Sequence, residues 1–486
     1  MVVKTIVIAA YALMIIVVGI LGMRKTRSFS DYLLGGGTVG PWMTAFTYAA
    51  AYFSAVLFIG FAGKIGWAFG YSGLWIAAGN AAVGVFAVWW LFGRRIRAAA
   101  RQYEVHTMPE YLERRYNSPL LKFFGAVCIF IFLIPYCSAV FMGLSYLFQS
   151  NFHLPYEWAL ALMGLFTAIY LVLGGYKSMA MIDVIFGMIM VAGVSILLWF
   201  TLSRGGGLNA MSAHLSAINP KLTATVGPPG AWPLFCLVFL TSVAPFAMPQ
   251  LVQKFYAIKD DRSIRIGMFA STAFAVLIGG AAYFVGAVTR LFLSPENTPQ
   301  AFIDGKPDFD KLMPELLANV IPDSLSMLML LLVLSASMST LAALVLISSS
   351  AVVKDVYAGF MNRTAADARL TLLMRVASAL FVLVSVVLAA CKLDTIVAVL
   401  SISWGAIGSV FLGPFVWGVL TKWTNRGGAL LSSVLGLATC ILLSVRGMTP
   451  PEAGTIGMLA SLVLCPLGSL AFGLGSGPVA KEAPAA

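Results

Sequence analysis

Long apolar runs separated by short polar connections dominate the 486-residue chain, and neither a helical nor a strand period of polar positions interrupts most of them. Runs of this length match the roughly 20 apolar residues that a helix needs to cross a bilayer. Cutting the longest runs at their Gly, Pro and Asn clusters predicts thirteen spans, near residues 4–23, 40–64, 71–93, 122–148, 156–176, 180–203, 231–253, 265–291, 322–353, 370–391, 395–420, 427–446 and 454–475. The first run is followed by Arg24, Lys25 and Arg27, a stop-transfer pattern, so it reads as a retained span and not as a cleaved signal. The largest connection, 292–321, is acidic and predicts a short helix at Lys311–Val320. About eleven residues follow the last span, so no fused output domain is expected.

Two runs are broken. The second, TAFTYAAAYFSAVLFIGFAGKIG, has small residues at Ala49–Ala51 and glycines at Gly60, Gly63 and Gly66. The seventh, FLTSVAPFAMPQLVQKF, carries Pro245 and Pro249, each of which removes a backbone donor and disfavours helix in the residue before it. In lipid every freed backbone group must find a partner, so a break needs a reason. The two broken spans are five apart. Spans 2–6 and 7–11 then form two five-helix repeats, and because five is odd the second enters the membrane from the opposite side. Broken segments at matching positions of two halves point to a transporter's binding site. The ninth run adds hydroxyls and no charge: Ser335, Ser337, Ser339, Thr340 and Ser348–Ser350. Hydroxyls of this kind either bond back to their own helix or supply neutral oxygens to a cation.

Composition narrows the picture. With 60% hydrophobic and 10% charged residues the chain lacks the polar surface of a soluble globule, whose charged share is about 25%. The net charge of +12 does not mark a nucleic-acid binder, because the basic residues lie between apolar runs. Instead 22 of the 31 Lys and Arg residues fall on the side holding the 24–39 and 94–122 connections. The positive-inside rule makes that side cytoplasmic, with the N-terminus outside and the C-terminus inside a plasma membrane. The six cysteines form no C-x-x-C pair and the three histidines no H-E-x-x-H, so neither a disulfide framework nor a metalloprotease is supported. No span holds the paired carboxylates or nucleophile–base pair of an enzyme.

At motif level the chain resembles the sodium:solute symporters. The stretches are SFSDYLLGG (Ser28–Gly36), TMPEYLERRY (Thr107–Tyr116), LGGYKSMAMID (Leu173–Asp183), MPQLVQKF (Met248–Phe255), SASMSTLAA (Ser335–Ala343), SSSAVVKDVY (Ser348–Tyr357) and SWGAIGSVFLGP (Ser403–Pro414). The resemblance implies an all-α membrane fold with a five-plus-five inverted repeat of the leucine-transporter type: an extra first span and loop (1–39), repeat one (40–203), repeat two (231–420), two C-terminal spans (427–475) and a short tail (476–486). It implies Na+-coupled symport of a small organic solute. It places Na+ on the carbonyls of Ala50, Phe53 and Ala336 and the hydroxyls of Ser339 and Thr340. Where some members hold a second sodium with two further serines this chain has Ala342 and Ala343, so one Na+ per cycle is expected. Asp183 matches an acidic residue at a helix end and joins Pro245 and Pro249 as a coupling or gating candidate.

The substrate positions depart from the better-known members. Where proline symporters have an Asp, a Trp and a Tyr, this chain has Tyr52, Thr241 and Pro245, and its fourth span lacks the Arg of sialate symporters. Pocket candidates are Tyr52, Ser54, Asn80, Tyr136, Thr241, Ser242, Phe246 and Trp404, with ordinary helix packing the alternative for each. Such a set suits a monocarboxylate, pantothenate or an amino acid such as proline. Expected partners are the solute and the bilayer, with no nucleic acid and no obligate protein partner. Two other readings stay open: proton coupling, which needs a titratable group at the site while Asp183 is expected away from Ser339, and a solute sensor that binds without cycling.

Overall fold

The computed structural model describes residues 2–24, 29–35, 39–173 and 175–473, and Lys25, Arg27, Gly36 and the 476–486 tail lie outside them. The described residues are almost wholly helical, and the one sheet among them is a two-residue hairpin, β1 (Phe302–Ile303) with β2 (Lys306–Pro307), in the long loop. In chain order the helices are α1 (Val2–Arg24), α2 (Phe29–Leu34), α3 (Pro41–Tyr52), α4 (56–69), α5 (74–103), α6 (Met108–Tyr116), α7 (Pro119–Phe152), α8 (Tyr156–Leu173), α9 (Tyr176–Arg204) and α10 (Gly207–Ile218). There follow α11 (Ala231–Val243), α12 (Pro249–Tyr256), α13 (Asp261–Ala287), α14 (309–320), α15 (323–361), α16 (Asp367–Ala390), α17 (Ile396–Leu420), α18 (Arg426–Val445) and α19 (Pro450–Ala471).

Among the described residues eleven helical runs are long and apolar enough to cross a membrane, and the apolar stretch Tyr156–Ile169 belongs to the 18-residue α8. The expected thirteen spans are therefore not reproduced as thirteen long apolar helices. One reason is visible at residues 56–103, which form one apolar helical run broken at Gly70, whose φ of +60° ends α4. A side chain is disfavoured at that φ, so a glycine can stop a helix there without a loop to announce it. The short loop helix is present and begins two residues earlier than expected, at Phe309.

Local signals explain where helices begin. Thr107 caps α6 by accepting the Glu110 N–H, and the Glu110 carboxylate returns to the His106 N–H at 2.9 Å. Pro119 follows the Ser118 cap of α7, and Pro450 follows Thr449, whose capping box with Glu452 starts α19. The packing depends on small residues, as expected where lipid gives no hydrophobic drive between helices. A Cβ on Gly405 of α17 would come within 2.6 Å of the Gly454 Cα in α19, and one on Gly66 would strike the Gly286 backbone of α13. Both broken helices run into one continuous core, and α15 and α17 are almost wholly buried within it.

Candidate functional site

The chain that predicts a break in the second span stops being helical at Phe53. There φ is −109° and ψ 123°, so α3 ends at Tyr52, and Ser54 separates it from the helical backbone that resumes at Ala55. The start of α4 is wound in wide π-type turns. The interruption thus lies two residues beyond the small residues that signalled it. The last carbonyls of α3 lose their intrahelical partners. On the restart, Ala55 N–H donates to Ser337 Oγ at 3.1 Å and Val56 N–H to Ser54 Oγ at 3.2 Å.

The second break follows the prolines. α11 ends at Val243, Pro245 sits in a single 3-10 turn, and Pro249 occupies the first turn of α12, where its missing N–H costs nothing. The two breaks touch: the Tyr52 hydroxyl donates to the Thr241 carbonyl at 2.7 Å. On the far side of each broken helix the chain is stitched again, by Val39 N–H to Ala257 O and Lys259 N–H to Val39 O, both 3.2 Å.

α15 lies across the first break. Thr340 Oγ1 donates to its own Ala336 carbonyl at 3.1 Å and reaches the Ala51 carbonyl of α3 at 3.4 Å. Ser339 is fully buried, and its hydroxyl has no hydrogen-bond partner. Ala50, Phe53 and Ala336 are buried at the same crossing. The donor set is one of neutral hard oxygens, carbonyl and hydroxyl, which suits a monovalent alkali ion. An orphaned hydroxyl is expensive unless something binds it, about 1–3 kcal/mol.

The pocket candidates fall into two groups. Trp404 stands between Tyr52 and Tyr136, with ring centroids 6.1 and 5.9 Å away, and Tyr136 also lies beside Ser54. The Trp404 indole N–H is buried without a partner, as are the hydroxyls of Ser403 and Ser138. Ser242 and Asn80 form the second group, joined at 3.1 Å. Thr241 spends its hydroxyl on the Leu237 carbonyl, and Phe246 packs edge-on against Phe92 at 5.2 Å.

Asp183 departs from expectation. It is fully buried two turns into α9, next to Ser339 and not away from it, and neither carboxylate oxygen has a hydrogen bond of good geometry. The helix begins at Tyr176, several residues before the predicted span, which carries Asp183 inward. Its opposite charge is Lys254, equally buried in α12, with Nζ 5.0 Å from the Tyr176 ring centroid and 3.8 Å from Met179 Sδ. Ending the seventh span at 253 left Lys254 in a loop, yet a lysine inside MPQLVQKF was the available signal. Ser337 was also missed as a partner of the break.

A model of the sodium:solute symporter family matches residues 32–436. The chain belongs to that family. As a member it is a multi-pass, Na+-coupled solute symporter. The symporter is 27% identical over 452 residues to the osmoregulated proline transporter of Bacillus subtilis, covering 90% of this chain and 88% of the relative. It is 27% identical to the sodium/pantothenate symporter of Escherichia coli, covering 88% of each. Its fold is that of a Na+-coupled sialic acid symporter solved in a substrate-bound, outward-open state, with a TM-score of 0.79, 16% identity, and 97% and 98% of the two chains covered.

Proposed function

We infer that this symporter carries one Na+ per cycle into the cell together with a small organic solute, a monocarboxylate, pantothenate or an amino acid such as proline. The observation that carries the ion assignment is the crossing of α15 over the first break, where Thr340 reaches the Ala51 carbonyl beside the orphaned Ser339 hydroxyl. The carbonyls of Ala50, Phe53 and Ala336 and the hydroxyls of Ser339 and Thr340 hold the ion. The solute lies alongside, between Tyr52, Ser54, Tyr136 and Trp404. Relatives named for proline and for pantothenate support a carboxylate-bearing solute. Ala342 and Ala343 offer no further side-chain oxygen, which supports the one-ion stoichiometry.

The chain sits in the plasma membrane with the basic connections inside, thirteen spans, and the two breaks at matching positions of inverted five-helix repeats. Na+ joins α3 to α15 in the outward-facing state, solute binding at the break permits closure, and rocking of the bundle that contains both broken helices opens the inner side. The ion drives this only by binding the two states unequally. One charge crossing about 100 mV contributes about 2.3 kcal/mol, and a tenfold Na+ gradient adds about 1.4. Together they support roughly 500-fold accumulation of a neutral solute. For a monoanion the potential cancels and roughly tenfold remains.

The decisive experiment is uptake of labelled proline, pantothenate and short monocarboxylates into proteoliposomes with and without an inward Na+ gradient. Uptake indifferent to Na+ sinks the coupling. A proton-coupled reading draws specific support from Asp183 beside Ser339. Uptake driven by a pH gradient in Na+-free buffer decides for it.

A further inference from the structure

The loop helix α14 is buried against the far end of the broken span, on the side that the proposed orientation makes external. A Cβ on Gly63 of α4 would sit 2.5 Å from the Phe309 carbonyl of α14, and one on Gly60 2.7 Å from Ile396 at the start of α17. α4 therefore meets the α14 backbone and the Ile396 side chain of α17 with no room for a Cβ at either glycine. Two polar contacts fasten them. Asp310, only 5% exposed, receives the Ile396 N–H on both carboxylate oxygens, at 3.0 and 3.3 Å, and so caps α17 from another element. Lys64 Nζ donates to Thr395 Oγ1 at 2.9 Å and lies 5.9 Å from the Phe309 ring centroid. A carboxylate at a helix N-terminus is held by the dipole and by the hydrogen bond, and the charge of Lys64 nearby favours its ionised form.

Separating α4 from the start of α17 breaks the Lys64–Thr395 contact, and separating α14 from it breaks the Asp310–Ile396 contact. We propose that Asp310 and Lys64 form an outer latch that keeps α4, α14 and the start of α17 together and that has to release before Na+ enters from outside. They are positioning residues and touch neither ion nor solute. The latch rests on the inward-symport reading above, but it is a separate statement about how the site is reached.

The groups facing Asp310 are Lys64 from α4, Tyr146 from α7, Tyr156 from α8, Asp394 and Thr395 ahead of α17, and Asp308 beside it. Asp308 is already paired with Lys311 at 3.2 Å. Burial pushes the Asp310 carboxyl up to about 7, with Asp308 and Asp394 adding to it, against the Ile396 N–H and Lys64. Above that pH the carboxylate is charged and the latch firm. Below it the acid is neutral, the attraction to Lys64 and to the helix end is lost, and the outer side opens more readily. Opening raises the fraction of molecules competent to bind Na+, and apparent affinity rises in proportion.

The test is radioactive Na+ binding to the purified full-length protein. Apparent affinity should be about fivefold higher at about pH 6 than at about pH 8. Asp310→Asn, which keeps an oxygen for the Ile396 N–H, should hold the high affinity at both pH values, and Lys64→Met should raise it at the alkaline one. Proton competition at the ion site gives the opposite sign, a loss of affinity on acidification, and that result overturns the latch. So does a flat wild-type profile, or Asp310→Asn with the wild-type response. If Asp310→Asn does not fold, the wild-type profile and Lys64→Met still decide. Absence of Na+ binding at every pH removes the symport reading itself, whereas binding that ignores pH removes only the latch.

Discussion

Replacing Ser339 by alanine separates an ion ligand from a packing residue, because the two roles predict opposite signs for stability. The hydroxyl is fully buried and makes no hydrogen bond of good geometry, with the Asp183 carboxylate as its polar neighbour. Burying such a group unmet costs about 1–3 kcal/mol. Alanine removes that cost and is a good helix former, so without Na+ the Ser339→Ala protein should be as stable as wild type or about 1 kcal/mol more stable. With Na+ the order reverses. At 100 times its Kd a ligand stabilises the folded state by about 2.7 kcal/mol. A lost contact to a charged group, about 1.5–3 kcal/mol, raises Kd roughly 10- to 100-fold. The same Na+ concentration then contributes only about 0.4–1.4 kcal/mol. The assay is thermal unfolding in detergent followed by tryptophan fluorescence, in sodium chloride against choline chloride at equal ionic strength. A variant that loses more than about 1 kcal/mol in choline, yet keeps the full increment from Na+, makes the hydroxyl structural and refutes the assignment.

Three further outcomes are expected. Tyr52→Phe, which removes the 2.7 Å contact between the two breaks, should weaken solute affinity about fivefold, corresponding to about 1 kcal/mol, and an unchanged uptake KM counts against a shared site. Gly66→Ala should cost about 1–3 kcal/mol and lower the yield of folded protein, since its Cβ meets the Gly286 backbone; a wild-type melting temperature would contradict the packing. The ratio of Na+ to solute flux should be one, and a measured ratio of two refutes the single-ion stoichiometry drawn from Ala342 and Ala343.

The elements that could be read in the sequence are those whose cause is local. Pro245 and Pro249 forced the second break, and SASMSTLAA displayed the hydroxyls that α15 carries to the first. What could not be read depends on which faces meet. Asp183 looked like a helix-end carboxylate because its position relative to Ser339 is set by where α9 starts and how it packs against α15. Lys254 looked like a loop lysine for the same reason, since a span boundary drawn by hydropathy cannot see a buried charge with a partner on another helix. The first break was placed slightly early, at the small residues, because extended backbone at Phe53 leaves no mark on its residue type. Thr241 and Phe246 make packing contacts, the hydroxyl to the Leu237 carbonyl within α11 and the ring to Phe92 of α5, which residue type alone does not reveal.

The distribution of unmet polar atoms separates scaffold from machinery. In the C-terminal pair, Ser432, Ser433, Thr455, Ser461 and Ser469 are all buried and all hydrogen-bonded, so α18 and α19 are polar inside without being strained. Around the breaks the pattern reverses. Asp183, Ser339, Gln250, Gln253, Ser138, Ser403 and Trp404 each leave a buried polar atom without a hydrogen bond, on the five helices α7, α9, α12, α15 and α17. Buried polar atoms of this kind destabilise a fold unless water, an ion or a ligand meets them. The C-terminal helices pack against α17 through Gly405, Gly454 and Ser461, a rigid seam. The broken helices meet their neighbours through individual hydrogen bonds, among them Tyr52 to the Thr241 carbonyl and Ala55 N–H to Ser337. On the proposed reading a chain with 10% charged residues holds its cation with neutral oxygens, and the buried opposite charges of Asp183 and Lys254 lie at the border of that site.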